Sequence, residues 1–222
     1  MSTFADKAIK YFLSLESPTG LTENIIAINP YKKPEVQTAV KQFFNKYFND
    51  SKNRLFVYGI NPGRFGGGLT GIAFTDPVAL REDCGIKINL GTRKELSSKF
   101  IYNLISEFGG PHKFFSKIYL TALYPLAILK NDKNYNYYDK PDLYKALKRY
   151  IENSIIEQLE FGASKDFAIS LGQKNAKFLK EINNEYNFFN EIRVLNHPRY
   201  IMQYKLKQMN KYLKEYLSAM NN

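Results

Sequence analysis

The chain has 222 residues, and its 44% hydrophobic content is enough to bury a full core as one domain. Lysine and arginine number 32 against 21 acids, a formal charge of +11 that suits a phosphate-bearing partner; the joint abundance of Lys, Asn, Ile, Tyr and Phe leaves a biased genome as a second source of the same charge. A single cysteine, Cys84, and two histidines, His112 and His197, exclude disulfide frameworks, four-cysteine iron–sulfur clusters and ordinary zinc sites, so any chemistry is expected to be metal-light.

The opening "MSTFADKAIKYFLSLE" lacks the apolar core and cleavage pattern of a signal peptide. No stretch approaches the roughly eighteen apolar residues of a membrane span, so the expected location is the cytoplasm, with no membrane partner. Phe4, Ala5, Ala8, Ile9, Phe12 and Leu13 recur at helical spacing, and "SPTG" ends that helix. A second helix carries Pro34 in its first turn and the stripe Val36, Val40, Phe43, Phe44 and Tyr47. Leu55–Ile60 then reads as a strand covered on both faces, followed directly by "NPGRFGGGLTGIAF".

"TDPVALRE" predicts a short helix capped by Thr75 or Asp76, and "TRKE" at Thr92–Glu95 reads as a capping box opening a longer helix. Phe100, Ile101, Leu104, Ile105 and Phe108 form that helix's inner face, and Gly109 with Gly110 ends it. A second strand is expected at Ile118–Leu123, and "LKNDKNYNYYD" (Leu129–Asp139) reads as an exposed loop. The helix of "DKPDLYKALKRYIENSIIEQLEFG" precedes a third strand at Phe167–Leu171, a helix over Gln173–Ile182 and a fourth strand at Ile192–Leu195. The closing segment, Gln203–Met220, reads as helical and basic.

Strands separated by helices of ten or more residues predict an α/β fold in three layers around a parallel sheet, as a single domain with N-terminal helices (1–50) packed on a core over 54–222. The glycine run leaves the first strand at the sheet edge where such folds bind ligands. It has neither the Gly-Lys-Ser/Thr of a phosphate loop nor a dinucleotide fingerprint, and its glycines are too many for one turn. Close approach of backbone to a flat ligand accounts for it better, with Asn61 at the strand end and Phe74 placed to stack on a base.

"GINPGRFGGGLTGIAF" resembles the first motif of the single-strand-selective monofunctional uracil-DNA glycosylases, a Gly-Met-Asn-Pro-Gly-x-Phe-Gly segment leading into Thr-Gly-x-x-Phe; the register matches at Asn61, Pro62, Gly63, Phe65, Gly66, Thr70, Gly71 and Phe74. Their second motif, a His-Pro pair leaving the last strand, is matched by His197 and Pro198 in "VLNHPRY", and weaker similarity spans Leu55 to Tyr200. The resemblance implies a four-stranded parallel sheet and a DNA-repair glycosylase, needing no cofactor, that flips a uracil or related damaged base out of single- or double-stranded DNA, acting as a monomer on nucleoid DNA. On the physics of such a reaction Asn61 is expected to orient a water and neutral His197 to donate to the base oxygen, with Gly63, Phe65, Gly67 and Phe74 holding the base, and Arg64, Arg199, Tyr200 and Lys205 are the candidates to meet the DNA. The chain departs from the family at two places: the strand asparagine that reads the uracil edge falls on Ala122, beside Thr121, and His-Pro continues as "RYIMQYK" rather than Ser-Pro-Arg. A nucleic-acid-binding module without turnover and a nucleotide or nucleoside hydrolase stand as the alternatives.

Overall fold

In the computed structural model, which describes residues 2–21 and 24–221, the four apolar runs pair as strands of one parallel sheet. The elements in chain order are α1 (Phe4–Ser14), β1 (Ile25–Ile28), α2 (Pro34–Tyr47), β2 (Leu55–Gly59), α3 (Gly67–Thr70), α4 (Pro77–Glu82), α5 (Leu96–Phe108), α6 (Pro111–Phe115), β3 (Ile118–Ala122), β4 (Ala127–Lys130), β5 (Lys133–Tyr135), α7 (Pro141–Leu159), β6 (Phe167–Leu171), α8 (Gln173–Tyr186), β7 (Glu191–Leu195), α9 (Pro198–Tyr204) and α10 (Met209–Asn221). The main sheet has the order β3-β2-β6-β7, with Gly59 opposite Ala122 and Leu171 opposite Leu195, so all four strands end on the same edge. From β2 the chain passes first to β3 on one side and later to β6 on the other, and the crevice beyond β2 is therefore a topological switch point.

Helices α1 and α2 close one face through interlocked rings: Phe4 stacks on Phe48 at 5.1 Å, and Phe56 of β2 meets Tyr119 of β3 edge-on at 4.8 Å. Beneath them lies Arg54, 1% exposed, its guanidinium 4.8 Å from both the Phe4 and Phe48 rings. Its fork donates to both carboxylate oxygens of Asp50 (2.9 and 3.0 Å) and its Nε to Phe115 O (2.7 Å), so the buried charge is paired and hydrogen-bonded. Partial burial works against ionisation of Asp50, but the bonds from Arg54 and the Lys52 N–H outweigh it and hold the carboxyl below its usual range. Among the described residues no helix is long and apolar enough to cross a membrane.

Three local expectations are corrected. Residues 129–139 are not an exposed loop: β4 and β5 form a hairpin that joins β1 in a second, antiparallel sheet, and Tyr137 is fully buried. Asn131 and Asp132 both adopt left-handed backbone (φ 48° and 58°), the geometry of a two-residue hairpin turn, and the many polar side chains conceal the strand alternation. The "TRKE" box is not formed; Glu95 itself occupies the N-cap, held by its N–H to Asp76 Oδ2 at 2.8 Å, because Asp76 already caps α4 and lies within reach. Lastly, the short helix α6 follows Gly110 where none was expected; the closing segment is helical, divided by a tight turn between α9, which starts at Pro198, and α10 at Met209.

Candidate active site

The segment after β2 is anchored from several sides before it reaches any ligand. Asn175, fully buried on α8, donates through Nδ2 to the carbonyls of Tyr58 (3.2 Å) and Gly59 (3.1 Å) and accepts from the Tyr137 hydroxyl (2.9 Å). That one amide ties the end of β2 to α8 and to the hairpin. The glycine run is then a packed helical turn rather than an open loop, with Gly66, Gly67 and Gly68 all buried. Thr70 Oγ1 donates to Thr75 O (2.7 Å) and accepts from the Ile72 N–H, closing the turn. Gly71 sits at φ +73° with Tyr31 and Val36 so near that an added methyl would lie 2.8 Å from each, so only glycine serves there.

Phe74 follows with φ 56°, a left-handed backbone that costs a bulky aromatic roughly 1–3 kcal/mol. The turn imposes that strain and places the ring against Gly59, with its centroid 6.0 Å from the His197 ring. Strain is tolerated here because Thr70, Tyr31 and the β2 end over-determine the path.

A cleft of about 360 Å³ opens at the carboxyl ends of the strands, within the usual range of small-ligand sites. Asn61, Gly63, Gly67, Phe74, Ala122, His197, Arg199 and Tyr200 all line it, so the amide and the imidazole meet in one space although 136 positions apart in the chain. Phe65 does not line it; its ring lies under the guanidinium of Arg64 at 4.4 Å and near that of Arg93 at 5.3 Å, outside the cleft wall. Arg64 is turned to the hairpin, where its guanidinium bonds Asp132 O and its N–H donates to Asn134 Oδ1 at 3.0 Å. Lys205 ends α9 outside the cleft lining. Thr121 points to the other face of the sheet, its hydroxyl bonded to Gln158 at 2.6 Å.

Asn61 is oriented by backbone. Its Nδ2 donates to Tyr135 O at 3.1 Å and its Oδ1 accepts from the Tyr137 N–H at 3.3 Å, which assigns both ends of the amide and leaves the second lone pair of Oδ1 for a water. His197 caps α9, with Pro198 as the first helical residue. Its Nδ1 accepts the Arg199 N–H at 3.2 Å, so the ring proton sits on Nε2. Burial in the cleft, with Arg199 nearby, lowers its pKa to about 4, and the ring is neutral at pH 7.

Other groups in this cleft escaped the sequence reading. Glu95, Asn134, Asn136, Gln203 and Tyr204 also line it. Burial raises the Glu95 pKa above the usual carboxylate value, Arg199 acting against this and Asp76 with it. The Asn-Asp hairpin turn was the one available signal for Asn134; nothing in the linear pattern marks Glu95 or the supporting Asn175.

The sequence matches the family model of the Uracil DNA glycosylase superfamily over residues 45–221. No curated protein matches it. Among solved structures, it is similar to wild-type SMUG2 of Pedobacter heparinus, with 41% identity and a TM-score of 0.95, covering 100% of this chain and 98% of that one. The family match spans most of the chain and the structural likeness all of it, with the Asn61 and His197 motifs meeting at the strand ends: the chain belongs to the Uracil DNA glycosylase superfamily.

Proposed function

We propose that this protein is a monofunctional DNA glycosylase that takes a uracil or related damaged base out of the helix into the cleft and hydrolyses its N-glycosidic bond. The observation that carries this is the presence of Asn61, neutral His197 and the ring of Phe74 around one cleft of base size. In the reaction the C1′–N bond breaks and its electron pair leaves with the base, so positive charge builds on the sugar and negative charge on the base. A water oxygen bonds C1′; one water proton passes to solvent and the base ends protonated.

Each group has one task. Asn61 Oδ1 orients the water, a positioning role that needs no strong base when bond breaking runs ahead of attack. The Nε2–H of His197 donates to the base oxygen as charge accumulates, an oxyanion-type contact worth roughly 10²- to 10³-fold in rate. Phe74 covers the face of the base, and the wall at Gly63 and Gly67 offers backbone rather than side chains. The +11 charge draws in the DNA backbone, with Arg199 at the cleft and Arg64 and Lys205 outside it. Tyr200 and Tyr204, 41% and 70% exposed with rings 5.6 Å apart, stand on the cleft margin and suit filling the space left by an extruded base.

The test is alkali-induced strand cleavage after incubation with oligonucleotides carrying uracil, hypoxanthine, xanthine or 5-hydroxymethyluracil. Cleavage that is lost in Asn61→Ala and His197→Ala supports the proposal. DNA binding with no cleavage of any substrate overturns it in favour of a binding module.

A further inference from the structure

Resting on that glycosylase reading, we propose that Glu95 and Asn134 together read the edge of the flipped base, an acceptor and a donor set side by side for the –NH–C(=O)– group that deamination creates. Ala122 lines the cleft with a side chain that makes no hydrogen bond, so side-chain discrimination falls to another wall. Glu95 and Asn134 both line the cleft and converge over Gly63: a methyl added there would collide with Glu95 Oε1 and lie 3.6 Å from Asn134 Nδ2. Gly63 thus keeps the two polar groups adjacent and open between them.

Their hydrogen-bond states are complementary. Asn134 Oδ1 accepts the Arg64 N–H at 3.0 Å, which assigns the amide and leaves its NH₂ as the free end. The Glu95 backbone is fixed by its N–H to Asp76, but its carboxylate has no hydrogen bond or ion pair among the described residues. An unpaired carboxylate facing a polyanionic substrate opposes binding unless a ligand N–H satisfies it.

Uracil offers N3–H beside C4=O, and hypoxanthine and xanthine offer N1–H beside C6=O. Cytosine and adenine instead turn a ring-nitrogen lone pair toward the carboxylate and an amino group toward the amide, so both contacts become repulsive. Thymine and guanine share the favoured edge, but in intact pairs they are costlier to extrude than a mismatched base.

The experiment compares single-turnover cleavage, and equilibrium binding by competition, for oligonucleotides carrying uracil or N3-methyluracil. Wild type should prefer uracil by about 10- to 100-fold, the discrimination of one good bidentate contact. Glu95→Ala should lower the uracil rate and bring the two substrates within a few-fold of each other, Glu95→Gln should keep the preference, and Asn134→Asp should cut uracil more deeply than Asn134→Ala. Equal loss on both substrates in Glu95→Ala overturns the reader role and makes the carboxylate a catalytic group; unchanged preference overturns it outright. Should wild type cleave neither, the glycosylase reading fails by itself, and the same preference measured in binding still decides for or against the pair.

Discussion

Protonation of His197 offers a test with a calculable size. Burial lowers its pKa to about 4, with Arg199 adding to the shift, and the proposed chemistry needs the neutral ring with its proton on Nε2. At pH 5.5 such a ring is about 97% neutral, whereas an ordinary imidazole titrating near 6.5 is only about 9% neutral. Between pH 7.5 and 5.5 the His197 contribution to single-turnover base release should therefore fall by less than about 5%, against about tenfold for an unperturbed histidine.

The rate alone does not isolate this ring, because Glu95 in the same cleft is a second titratable group, its pKa raised by burial. A ¹⁵N NMR titration of the imidazole, assigned with a His112→Ala variant, isolates it. The same shift has a stability consequence: an unfolded histidine takes up a proton near 6.5 that the folded one refuses until about 4, so this contribution to stability is complete above 6.5 and declines as pH falls from 6.5 toward 4. An imidazole midpoint near 6.5, with a parallel tenfold loss of rate, would refute the neutral-donor argument.

Asn61→Asp should retain shape but replace the bond to Tyr135 O with two facing acceptors, so activity should fall at least 10²-fold and the melting temperature should drop; an active, equally stable variant would show that the amide orientation is immaterial. Gly71→Ala adds a methyl at φ +73° within 2.8 Å of Tyr31 and Val36, and urea unfolding should report a loss of about 2–4 kcal/mol. For Arg54→Ala, the buried fork on Asp50 and the cation between two rings are both lost, with an expected cost of about 3–5 kcal/mol at pH 7. Because Asp50 loses the partner that holds its pKa down, the gap between wild type and Arg54→Ala should narrow as pH falls through the carboxylate range; a pH-independent gap would assign the cost to packing.

Much of the architecture was legible in the linear pattern because burial on both faces leaves an apolar run with little room for ambiguity, as at Leu55–Gly59, Ile118–Ala122 and Phe167–Leu171. The helices α1, α2 and α5 were equally plain, since each buries one stripe at a 3.6-residue period. Asn61 and His197 stood out through the motifs around them, and the edge at which parallel strands end brought them together. The hairpin β4–β5 was obscured because its turn and second strand are mostly polar and its work is done by backbone: the carbonyl of Tyr135 and the N–H of Tyr137 that orient Asn61 belong to no side-chain pattern.

What the sequence by itself determined is the main periodic elements and their crossover connections, which follow from local spacing and short-range turn chemistry, and, through the family resemblance of the motifs around them, Asn61 and His197. Only the tertiary structure decided the walls of the cleft. Glu95 comes from a helix cap, Asn134 from a hairpin and Asn175 from a helix behind the sheet, and their contacts depend on distances between segments widely separated in the chain. Phe65 shows the same limit in reverse, matching the motif yet lying outside the cleft lining, its half-buried ring beside the Arg64 and Arg93 guanidinium groups.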